Sequence, residues 1–134
     1  MDPTTGEEVS INLKLLRGPN YLVNMCGVFN RFRGKLIPVS AEFEYIEKMY
    51  HQVQVSEQDR DAFGFLYRPP GSQGPPLTYQ MTVHVFGAIL SPSTCLFAMN
   101  RAVEENRHIY PLAERIAKIN FYVDNMLASF ETEA

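Results

Sequence analysis

With 134 residues, 46% of them hydrophobic and 12% aromatic, the chain has apolar material for one core and too little length for several. A formal net charge of −3 argues against a generic polyanion binder, and two cysteines and three histidines at no recognisable spacing argue against a zinc site or a disulfide framework. No run approaches the ~20 apolar residues of a membrane helix, and the acidic first eight residues lack the basic start of a signal peptide, so the expected compartment is intracellular, cytoplasmic or nuclear, with no membrane partner.

Residues 1–10 are polar and read as a disordered terminus, and residues 11–134 read as a single domain. Between Ile11 and Ala41 there is no acid, while Lys14, Arg17, Arg31, Arg33 and Lys35 supply five positive charges. Such a stretch suits the phosphates of a nucleic acid, and equally an ordinary solvated helix face. Over residues 21–32, Leu22, Val23, Cys26, Val28, Phe29 and Phe32 recur at steps of three and four, which predicts an amphipathic helix ended by Gly34. Residues 35–45 read as a strand, with Pro38 near an edge, and a helical turn follows over 46–50.

Strands over 62–68 and 77–85 flank the proline- and glycine-rich run from Pro69 to Pro76, which gives a hairpin with a long loop. Ser91 is expected to cap a helix whose first position is Pro92, with Leu96, Met99, Ala102 and Val103 on one face. A short helix over 111–118 then leads into a last hairpin, its first strand over 119–123 and its turn at Asp124-Asn125. Helices packed on one face of a mainly antiparallel sheet make an α+β domain.

The chemistry concentrates at that last turn. An acid held at a rigid strand end is how polymerases fix Mg²⁺ ions against the attacking and leaving oxygens of phosphoryl transfer. Three blocks carry a wider likeness: Ile46-Glu47-Lys48-Met49-Tyr50-His51-Gln52-Val53, the segment from Tyr79 through Phe86-Gly87 to Ser91-Pro92, and Phe121-Tyr122-Val123-Asp124-Asn125. In this order and at these separations they resemble the reverse transcriptases of Bel/Pao-type LTR retrotransposons, from about Leu15 to the C-terminus. The segment from Ser56 to Tyr67 is also family-like, except that Gly64 stands where that family usually has a basic residue.

The resemblance implies a polymerase palm with part of the fingers, incomplete for want of a thumb and RNase H segments or a partner chain that supplies them. It also implies RNA-directed DNA polymerisation, with RNA or DNA template-primer and dNTP as partners and Mg²⁺ as cofactor. By the same likeness, Tyr50, Phe86, Gly87 and Ser91 belong to the nucleotide site, Tyr50 as the aromatic gate against a 2′-hydroxyl. The basic residues from Lys14 to Lys35 fall on the template side.

The metal-binding triad departs from the family. Asp124 matches the first acid of the hairpin pair, Asn125 stands at the second, and Tyr45 stands at the first-strand aspartate, where the family reads Asp-Ile-Glu-Lys-Met-Phe. An amide brings no charge, and a phenol with a pKa near 10 is neutral at pH 7. Glu44 is next to Tyr45, but neighbours on a strand point to opposite faces. The sequence therefore leaves three readings open: a reverse transcriptase fragment with impaired activity, a non-enzymatic module of the same fold that binds nucleic acid or protein, and a decayed retroelement relic.

Overall fold

The computed structural model describes Gly6, residues 9–34 and residues 40–130. Most of the terminus expected to be disordered, and residues 35–39 of the expected first strand, lie outside the described residues. Within them the chain forms three α-helices, α1 (Met25–Arg33), α2 (Ser91–Glu105) and α3 (Pro111–Asn120). Five strands accompany them, β1 (Ser40–Tyr45), β2 (Gly64–Tyr67), β3 (Leu77–Gln80), β4 (Phe121–Tyr122) and β5 (Asn125–Phe130). The strands form two antiparallel sheets, one of three strands in the order β1-β5-β4 and one formed by β2 and β3. The fold class is α+β.

Local chemistry sets the helix ends. α1 begins later than its periodicity predicts because the Asn24 side chain accepts a hydrogen bond from the Gly27 N–H at 2.9 Å, a cap that fixes the start at Met25. Residues 21–24 stay non-helical, and the Leu22 N–H is taken by Asn20 Oδ1. Arg31 and Arg33 occupy the last turn, where cations oppose the helix dipole. α2 and α3 both open with proline in the first turn, where a missing N–H leaves no bond unmade. Ser91 is not the cap of α2; it is the first helical residue, Leu90 takes the cap position, and no side chain caps it.

The α3–β4 boundary also differs from expectation. α3 continues to Asn120, so β4 is only two residues long. β3 is shorter too, because after Gln80 the backbone exchanges partners: the Val55 N–H donates to the Thr82 carbonyl at 2.9 Å and the His84 N–H to the Val53 carbonyl at 3.0 Å. Likewise Ala62 and Phe63 belong to a 3-10 helix, Glu57–Phe63, rather than to β2, and the helical turn after β1 falls at Met49–Gln52.

α1 and α3 pack on β5, and α2 packs on α3 and on the Met49–Gln52 helix. Ala128, 2% exposed, lies an odd number of residues from Asn125 and so on the opposite face of β5, which puts the helix-covered side away from Asn125. A second core forms where Met49, Tyr50, Cys95 and Leu96 meet, with Ile46, Val53, Met99 and Val123 against them. Gly18 lets the N-terminal stretch approach α2 closely: it has φ +75°, and a Cβ there would fall 2.6 Å from Ser93 Oγ, which donates to the Pro19 carbonyl. Among the described residues no helix is long and apolar enough to cross a membrane.

Candidate functional site

The strand pairing brings Tyr45 and Asn125 together. Tyr45 is the direct cross-strand partner of Asn125, and Asn125 is in turn the partner of Tyr122, so the three residues form one row across β1, β5 and β4 on one face. The Ile46 N–H donates to the Asp124 carbonyl at 2.8 Å and closes the end of the sheet beside this row. Glu44 pairs with Met126 and faces the other way, so it does not replace a carboxylate at position 45.

The turn itself is Val123-Asp124, one residue earlier than the pattern predicts. Its first residue needs a positive φ if the loop is to match the twist of its flanking strands, and Val123 has φ 59°. A β-branched residue in that region is strained by about 1–3 kcal/mol. The compensation is packing, since Val123 sits against the cluster around Tyr50 and Cys95. Asp124 is half-buried, and its Oδ1 accepts a hydrogen bond from Asn125 Nδ2 at 2.9 Å.

Tyr50 lies beside this acid. It is 7% exposed, and its hydroxyl is held above the usual phenol range by burial first, then by Cys95 and Asp124. Its ring meets Phe86 edge-on with centroids 4.6 Å apart, while Phe86 is 69% exposed. Gly87 follows at φ +90°, a conformation that L side chains rarely adopt. Asn12, a residue the sequence reading missed, clamps this turn: its Nδ2 donates to the Gly87 carbonyl at 2.7 Å and its Oδ1 accepts from the Ile89 N–H at 2.9 Å. No local pattern marks an asparagine that acts 75 residues away.

Ser91 is closed off inside the fold. It is 1% exposed, its N–H donates to the Ala88 carbonyl, and its Oγ lies 3.3 Å from Nδ1 of His84, itself 4% exposed. Burial pulls His84 below the usual imidazole range and pushes the Cys95 thiol up to about 11.

The basic residues divide between two places. Arg17 borders a groove with Gly18, Pro19 and the start of α2, and Lys14 lines a neighbouring one with Gln54, Asp59 and His84. Arg31 belongs elsewhere: its guanidinium donates to the Ile119 carbonyl and to Asn120 Oδ1, tying α1 to the end of α3. Arg33 is exposed on the same helix, and Lys35 lies outside the described residues.

Hard divalent cations ask for several anionic oxygens. Asp124 and the adjoining row offer one carboxylate, one amide oxygen and two phenols, a donor set that does not fit a pair of Mg²⁺ ions. Comparison with protein-family models finds no match for this chain, and comparison with curated proteins finds none either.

Proposed function

We propose that the chain is a fingers-and-palm portion of a Bel/Pao-type retrotransposon reverse transcriptase, in which RNA-directed DNA synthesis is the ancestral reaction and nucleotidyl transfer is now impaired. The observation that carries this reading is the register Tyr45↔Asn125 with Asp124 bonded to Ile46, because sequence positions eighty residues apart that match the family's three acids meet at one strand end. Tyr50 beside Asp124, with Phe86 against its ring, adds support, since the resemblance gives both aromatic residues a part in holding the nucleotide. With one carboxylate remaining, Mg²⁺ binding is weak and no chemical step is assigned to it.

Metal uptake tests the reading without requiring a whole polymerase. The natural sequence is expected to bind Mn²⁺ weakly, and a Tyr45→Asp, Asn125→Asp variant to bind it at least tenfold more tightly, with paramagnetic broadening centred on the amides of Asp124 and Ile46. Restored acids that take up no Mn²⁺ would overturn the palm assignment. Robust primer extension by the natural chain would overturn the impairment.

A second reading, a palm-like module that binds nucleic acid without catalysis, is favoured by the exposure of Arg17 and Arg33. It predicts retention on single-stranded RNA or DNA that falls steeply with salt.

A further inference from the structure

β2 and β3 carry no buried residue. Their register pairs Phe65 with Tyr79 and Tyr67 with Leu77, so these four side chains share one face of the hairpin. Phe65 and Tyr79 are stacked, with centroids 5.8 Å apart and planes 24° from parallel, and Tyr67 meets Tyr79 edge-on at 6.0 Å. The four residues are 43%, 48%, 56% and 43% exposed in the order Phe65, Tyr67, Leu77, Tyr79. The three rings and the leucine make an ordered apolar face open to water.

Area and charge decide what suits it. Aromatic side chains bury 150–250 Å² when fully covered, so this face at its present exposure offers roughly 300–400 Å². A stable protein partner or second copy needs about 800 Å² a side. The face is less than half of that, but two or three nucleobases would fill it. No Asp or Glu occurs from Ala62 to Val103, and Arg68 directly follows Tyr67. The nearest acid in sequence, Asp61, accepts a hydrogen bond from Gln80, which lies on the opposite face of the hairpin.

We propose that the Phe65, Tyr67, Leu77, Tyr79 face is a stacking platform for two or three unpaired bases of a single-stranded nucleic acid. Bases stack on aromatic rings with little sequence preference, and the hairpin itself, with no Asp or Glu from residue 62 to residue 103, sets no carboxylate of its own against the strand's phosphates. The class of ligand rests on the nucleic-acid reading above; the site is separate from the Asp124 row.

Fluorescence anisotropy with a labelled ten-nucleotide oligothymidylate, and with an abasic strand of the same length, tests the platform. The base-bearing strand is expected to bind at least tenfold more tightly. Tyr79→Ala should weaken it by about 5- to 150-fold without changing the abasic strand, and Tyr79→Phe should leave both unchanged. Should Tyr79→Ala fail to fold by circular dichroism, Phe65→Leu removes a ring while keeping apolar bulk and is expected to weaken binding in the same sense. Equal affinity for the two strands, a proline-rich peptide that needs Tyr79 where the oligonucleotide does not, or a dimer dissolved by Tyr79→Ala would each overturn the proposal. Ring-dependent binding alongside restored acids that take up no Mn²⁺ would sink the polymerase reading alone, and the opposite pattern would sink the platform alone.

Discussion

His84 and Ser91 face each other at 3.3 Å in a place that water hardly reaches, joining the segment after β3 to the first turn of α2. The edge of the Phe63 ring closes one side of the imidazole. Burial keeps His84 below its ordinary value of 6.5. The unfolded chain therefore takes up this proton at a higher pH than the folded chain does, and stability falls as pH drops from about 6.5 toward the folded value. Thermal unfolding between pH 7.5 and 5.5 should show Tm declining on the acid side, with the slope flattened in His84→Gln.

The two thiols should react at different rates. Cys26 is exposed on α1, whereas Cys95 is 1% exposed and its thiol is pushed up to about 11. A thiol reagent at pH 8 is expected to modify Cys26 quickly and Cys95 only as fast as the fold opens. Rapid modification of both at native conditions would contradict the buried contact between Cys95 and Tyr50.

Strain at Val123 sets up a contrast with Val28. Val123→Gly loses half-buried packing but relieves a positive φ on a β-branched residue, so its net effect on unfolding free energy should be within about 1 kcal/mol. Val28, 1% exposed on α1 in an ordinary helical conformation, has no such relief. Val28→Ala should cost about 2 kcal/mol by denaturant unfolding.

Two arginines on the same helix should behave differently. Arg31→Ala removes the hydrogen bonds that hold α1 to Ile119 and Asn120, and should destabilise by about 1–2 kcal/mol. Arg33→Ala should leave stability within about 0.5 kcal/mol, as surface substitutions usually do. Denaturant midpoints compare the two directly.

Much of the architecture was legible because local rules carried it. Prolines 92 and 111 mark helix starts, the spacing of Leu96, Met99 and Val103 marks one face of α2, and the run from Pro69 to Pro76 forces a loop between two antiparallel strands. The Tyr45 and Asn125 juxtaposition was reached through resemblance, since neither residue type advertises its partner. The exact turn was missed because Asp-Asn is the better turn pair by propensity, yet packing of Val123 against the Tyr50 cluster shifts the loop back by one residue. Ser91 looked like a cap, but a buried imidazole competed for its hydroxyl. Asn12 and Arg31 were out of reach, because their partners lie 75 to 89 residues away and a single sequence carries no trace of such bonds.

The bond pattern of Asn12 bears on where this domain can be trimmed. A boundary drawn at Leu15, where the proposed likeness to retroelement enzymes starts, would discard the amide that braces Gly87 and Ile89. The shortened protein would keep every residue of the Tyr45 row yet lose the brace behind Phe86, so the turn at Gly87 would be the first part to loosen.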